Sequence, residues 1–191
     1  MAASLVMVSS CQKDMANAEN AQYASVISVS GDGTTSVIEA NVQSAFVETS
    51  VLTDSDLASL LKMKEEEKLA RDVYSTLNQK WGNQVFSRIS VAENNHLNAI
   101  LRLLTYYGSS DTVVGDAGIF KNTDVQALYT NLVAKGSASI EEAYKTGAMI
   151  EEMDIEDLKM AITATTNANI TMIFENLEKG SRNHLRSFYN Q

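Results

Sequence analysis

The chain has 191 residues, of which 24 are acidic and 15 basic, for a net charge of −9; 45% of its residues are hydrophobic, and it holds one cysteine and no proline. That length suits one domain with a segment to spare, and the negative charge excludes a nucleic-acid partner while suiting metal cations. A lone cysteine excludes an internal disulfide framework, a zinc ribbon or a CxxC redox pair. No apolar run reaches the roughly 18 residues that a spanning helix needs, and the absence of proline amid many helix-forming residues predicts an all-α fold.

At the N-terminus, Leu5 to Val8 form a short apolar stretch followed by Val8-Ser9-Ser10-Cys11. The pattern resembles a bacterial lipoprotein box with Cys11 as the lipidated residue, so residues 1–11 read as a lipoprotein signal segment. The stretch is short and no Lys or Arg precedes it; a start upstream of Met1 would supply both missing features. Two acyl-type anchors on Cys11 would hold the rest at a membrane surface in the cell envelope, whereas a chance cysteine in a loose tail would leave the protein cytoplasmic. Residues 12–50 are rich in Ser, Ala, Asn, Thr and Gln. A hairpin around Gly31-Asp32-Gly33 fits the alternation there, but two strands without a partner sheet are hardly stable, so the segment is expected to be a flexible tether.

From residue 51 the texture turns helical. A first helix opens at Thr53 or Asp54 and stops at Gly82; a second is capped by Ser87 and stops at Gly108. After a loop containing Gly115 and Gly118, a short helix capped by Thr123 or Asp124 presents Val125, Leu128, Leu132 and Val133 on one face. A third long helix has Ser139 three before Glu142, a capping-box signature, and runs to about residue 165; a fourth long helix completes the chain. Four long helices, one short one and short connections predict a four-helix bundle over residues 51–191.

The acidic residues and histidines fall on telling faces. On the second helix, Ile89, Glu93, His96, Ile100, Leu103 and Tyr107 share one stripe, and on the last helix so do Ile170, Ile173, Leu177, His184 and Phe188. Both histidines of the chain therefore face the core, where a lone charge would cost several kcal/mol unless paired or bound to a metal. On the first helix either Glu66 or Glu67 can point inward, and on the third long helix Glu151 and Asp154 share a face with Gly147, Ile150 and Leu158. Glu66, Glu67, Glu93, His96, Glu151, Asp154 and His184 are thus the candidate ligands. Carboxylates and imidazoles from facing helices suit one or two iron or manganese ions, zinc being less suited to so many carboxylates. Tyr74, Tyr106, Tyr107 and Tyr144 are candidates to stand behind them.

A Glu on the first helix, Glu93-x-x-His96 on the second, an acid on the third and His184 on the fourth resemble the ferritin-like superfamily, and Glu67-x-x-Ala70-Arg71-x-x-Tyr74 matches the first helix of rubrerythrin-like proteins. The segments EEEKLARDVY, FSRISVAENNHLNAI and GSRNHLRSF further resemble the bacterial and archaeal domain of unknown function 2202, over roughly residues 52–189. The resemblance implies a ferritin-like four-helix bundle with a non-haem, di-iron type of carboxylate–histidine centre. It also implies iron(II) oxidation or peroxide reduction, with oxygen or peroxide as the small oxidant. One departure stands out: the fourth helix of the superfamily usually carries a second E-x-x-H, and here the position three before His184 is Ser181. Asp154 is the residue placed to supply that carboxylate. The rival expectation is a non-catalytic bundle whose degenerate site is a buried ion-pair network involving Lys68, Arg71 or Arg182, serving as a structural or interaction module. Self-association is open, but a lipid anchor would obstruct a closed 24-subunit cage.

Overall fold

A computed structural model of the chain describes residues 27–30, 34–38, 41, 45–46 and 50–191. Residues 1–11, expected to be a lipoprotein signal segment with Cys11, and Gly31-Asp32-Gly33, expected to be a hairpin turn, lie outside the described residues. Helix α1 spans Asp54–Trp81. Its first turn is closed by a reciprocal cap in which Thr53 Oγ1 accepts from the Asp56 amide at 3.1 Å while Asp56 Oδ2 accepts from the Thr53 amide at 3.0 Å. It ends at Gly82, whose φ of +62° is a left-handed conformation natural to glycine.

Helix α2 spans Gln84–Tyr106 and is capped by Asn83, not by the expected Ser87. The turn after α1 is only two residues long, so the first short polar side chain after Gly82 already sits where a cap is needed. Asn83 Oδ1 accepts from the Val85 amide at 2.9 Å. The same correction applies to the short helix α3, Thr123–Gly136, which is capped by Asn122 in place of Thr123 or Asp124. Helix α4, Ile140–Ala164, is capped by Ser139 as expected, and α5, Ala168–Tyr189, by Asn167.

The long helices pack as two antiparallel pairs, α1 with α2 and α4 with α5. Their buried apolar side chains divide into two layers. One gathers Leu60, Met63, Ile100, Leu103, Leu158, Ile170, Phe174 and Leu177; the other gathers Val73, Tyr74, Leu77, Phe86, Ile89, Ile150 and Phe188. Reading each helix through these layers gives its direction: α1 and α5 run from the first layer to the second, α2 and α4 from the second to the first. The connection from α2 to α4 must therefore travel back along the bundle, and residues 107–139, which include α3, do so. Lys68 anchors that crossover. Its Nζ pairs with Asp72 at 2.6 Å, donates to the Asp116 and Ile119 carbonyls and lies 3.9 Å over the Phe120 ring, while the Gly118 amide donates to Asp72. Further along, the Trp81 indole donates to the Gly136 carbonyl.

Strands β1, Ile27–Val29, and β2, Thr35–Val37, pair antiparallel within the segment expected to be a tether. Among the described residues the two strands have no partner sheet; helices take its place. The Asn95 amide group donates to the Thr35 carbonyl at 2.7 Å, that of Asn183 donates to the Ser30 carbonyl, and Thr35 is buried against α2 and α5. Among the described residues no helix is long and apolar enough to cross a membrane.

Candidate metal centre

The polar residues that periodicity turned inward meet in one plane, between the two apolar layers. Glu67 from α1, Glu93 and His96 from α2, Glu151 from α4 and His184 from α5 are each at most 1% exposed. Glu93 sits between the imidazoles: its Oε2 is 2.9 Å from His96 Nδ1 and its Oε1 2.9 Å from His184 Nδ1. Glu67 flanks His96 at 3.3 Å and Glu151 flanks His184 at 3.4 Å, so each imidazole faces two carboxylates through the same nitrogen. The two rings lie stacked, 5.2 Å between centroids. Glu93, His96 and His184 each offer a ligand atom within 4.8 Å of the others.

These approaches are close without being hydrogen bonds. His96 Nδ1, His184 Nδ1, Glu93 Oε1 and Glu67 Oε1 are all buried, and none has a hydrogen-bond partner. Buried polar atoms are normally satisfied, and leaving them bare costs about 1–3 kcal/mol each. A divalent cation is the partner that would satisfy imidazole nitrogens and carboxylate oxygens converging in this way, and the donor set fits one.

Burial pushes the Glu67 carboxyl well up, and the negative charges of Asp154 and Glu93 push it further; Glu151 rises for the same reasons, with Glu93 as its main neighbour. Burial works against ionising Glu93 too, yet His184 and His96 on either side hold it well below the usual carboxylate range. For His184 burial is outweighed by Glu93 and Glu151, which push it up to about 10, whereas burial prevails at His96 and lowers it. The cluster thus gathers protons as well as ligand atoms.

The structure separates Glu66 from Glu67. Glu66 lies on the outer side of α1 beside Lys62, at 3.5 Å, while Glu67 enters the cluster. Asp154 is half-buried at the edge; its Oδ2 accepts from Ser181 Oγ at 2.6 Å, and its Oδ1 is buried with no partner. Burial and the nearby Glu93 push Asp154 up to about 7. Of the four tyrosines only Tyr74 reaches the cluster, donating to Glu151 Oε1 at 2.6 Å; Tyr107 bonds Asn167, Tyr144 bonds Asn83, and Tyr106 is 41% exposed. The basic residues of the rival network point away: Lys68 and Arg71 pair with Asp72, and Arg182 with Glu178.

Two features escaped the sequence reading. Gly180 is one: a Cβ there would stand 2.5 Å from His96 Nε2, so only glycine lets α5 pass so close to the ring. A glycine inside a helix, four before a histidine, was the available sign. The other is the tripeptide Asn-His-Leu, present at 95–97 and again at 183–185. In both copies the asparagine holds the hairpin and the histidine enters the cluster.

Fold and cluster together define a helical-bundle protein with a buried carboxylate–histidine group able to hold a metal. Residues 56–191 match the family model described as "Uncharacterized protein domain (DUF2202)", and the chain belongs to that family. It is 46% identical over 138 residues to the uncharacterized protein MJ0754 of Methanocaldococcus jannaschii, covering 72% of this chain and 75% of that one. A crystal structure described as hypothetical protein MJ0754 from Methanococcus jannaschii superposes with a TM-score of 0.73 at 43% identity, covering 75% of this chain and 83% of that one.

Proposed function

We propose that the protein is a ferritin-like, rubrerythrin-related metal protein whose bundle core holds one or two non-haem iron ions, with manganese or zinc as substitutes. Its ligands are Glu67, in preference to Glu66, with Glu93, His96, Glu151, His184 and, at the edge, Asp154. The observation that carries this reading is the convergence of both imidazole Nδ1 atoms on Glu93 at 2.9 Å without hydrogen bonds. Four carboxylates and two imidazoles favour iron or manganese over zinc. Bound iron would supply one-electron redox chemistry toward oxygen or peroxide, in the oxidation of iron(II) or the reduction of peroxide.

The chain's own contribution is placement and dryness. Glu93 is shared by the two halves, Tyr74 keeps a proton on its Oη toward Glu151, and the apolar layers on both sides exclude water. The second reading, a non-catalytic bundle with a degenerate site, draws on Ser181 standing where a carboxylate is usual and spending its hydroxyl on Asp154.

Metal analysis of protein purified without chelator, then reconstituted with iron(II), manganese(II) or zinc(II), tests the proposal. Wild type is expected to retain metal and Glu93→Ala/His96→Ala to lose it; wild type that stays metal-free after reconstitution overturns the proposal. Attachment through Cys11 at the cell envelope is proposed with it, and mass spectrometry of the membrane fraction, seeking an acylated N-terminal cysteine peptide, is its test.

A further inference from the structure

The cluster is sealed on nearly every side. Glu67, Glu93, His96, Glu151 and His184 are at most 1% exposed, the hairpin covers the α2/α5 face, and Asp154 alone keeps contact with solvent. Asp154 lines a cavity of about 210 Å³ between α1 and α4, with Leu128 of α3 at its side. Two other cavities, of about 550 and 210 Å³, touch no member of the cluster.

This cleft has the chemistry of a cation path. Glu66, Glu156 and Asp157 line it with Asp154, so four carboxylates face one nearby ammonium, that of Lys62, which is already paired with Asp157 at 2.7 Å and Glu66 at 3.5 Å. Two oxygens, Glu66 Oε2 and Asp154 Oδ1, are buried and lack partners. The remaining lining is apolar, and the volume has room for several waters, enough for a partly hydrated ion. An anion would be repelled there, while a divalent cation would be concentrated by the acidic rim.

We propose, on the footing of the metal reading above, that the α1/α4 cleft is the port through which a divalent cation passes between solvent and the cluster. Asp154, held by Ser181 at 2.6 Å, is the group that hands it on. Met153, 37% exposed and lining the cleft, stands at the mouth.

A port alters the barrier and not the end states, so changing it must move uptake and release together and leave the dissociation constant alone. Cobalt(II) is the probe: stopped-flow absorbance follows uptake by the full chain, and excess chelator follows release. Met153→Trp is expected to slow both by a common factor of about ten with unchanged stoichiometry and Kd. Met153→Ala is expected to speed both, which keeps the test open if the tryptophan variant folds poorly. Val91→Trp, at a 59%-exposed position on α2, is expected to change neither. Glu156→Gln is expected to slow uptake at low salt, with the difference gone by about 1 M. Unchanged rates in both Met153 variants, a slowing matched by Val91→Trp, or a weaker Kd at unchanged uptake overturns the port while the metal reading stands. A wild type that takes up no cobalt overturns the metal reading and the port with it.

Discussion

Glu66 and Glu67 show how far a single residue can be read. Neighbours on a helix are about 100° apart, and both have apolar residues on their flanks, so periodicity alone admits either. What separates them is the position of α2: His96 arrives beside Glu67, and Lys62 and Asp157 lie on the side of Glu66. Gly180 is the sharpest residue-level test of the packing. A Gly→Ala change inside an unencumbered helix stabilises by about 1 kcal/mol. Here the added methyl meets His96 Nε2 at 2.5 Å, and overpacking costs about 1–3 kcal/mol, so Gly180→Ala is expected to destabilise and to weaken cobalt binding by displacing the ring. Urea denaturation gives the sign; a stabilised variant would show that α5 and the ring are not in contact.

Among the elements, the five helices between Asp54 and Tyr189 were legible because their apolar stripes repeat at helical spacing over long stretches. Their first residues were less so, since Asn83 and Asn122 are as good caps as the Ser87 and Thr123 that follow them. The division of labour between α4 and α5 is more consequential. Three residues before His184 stands Ser181, and its hydroxyl donates across to Asp154 on α4. Moving the charge from α4 to α5 should therefore conserve the site. Asp154→Ser is expected to weaken cobalt binding by a factor of about ten or more, and Asp154→Ser/Ser181→Glu to recover most of it, as measured by titration. Lack of recovery would mean that Asp154 acts through the packing of α4 and not through its charge.

For the molecule as a whole, a polar plane between two apolar layers makes stability depend on protonation. Raised carboxyl pKa values mean that the folded chain holds protons that the unfolded chain has released: Asp154 at about 7 against 3.8 and Glu66 at about 8 against 4.5. Stability is lost as pH rises through those windows. His184, raised from 6.5 to about 10, adds stability that is complete below 6.5 and lost toward 10. The lowered pKa of His96 works in the other direction, but only below about 6.5. The metal-free protein is therefore expected to lose thermal stability steadily from pH 6.5 toward 10. A bound cation, which requires deprotonated ligands, should flatten or reverse the slope. Melting curves after chelation and after cobalt loading check this; a metal-free Tm that climbs between pH 7 and 9 would contradict the proton inventory of the cluster.

The sequence by itself determined the helical character of residues 51–191, the five helices described there and the inward turn of Glu93, His96, Glu151 and His184, because helical periodicity is a local property of the chain. Only the tertiary structure decided that these groups meet, which glutamate of the first helix joins them, that Gly180 makes room for His96, and that an exposed-looking hairpin finds its partner on α2 and α5. Those outcomes depend on which helix faces which, and that is set by long-range packing of the two apolar layers and by the return path of residues 107–139, neither of which leaves a period in the sequence.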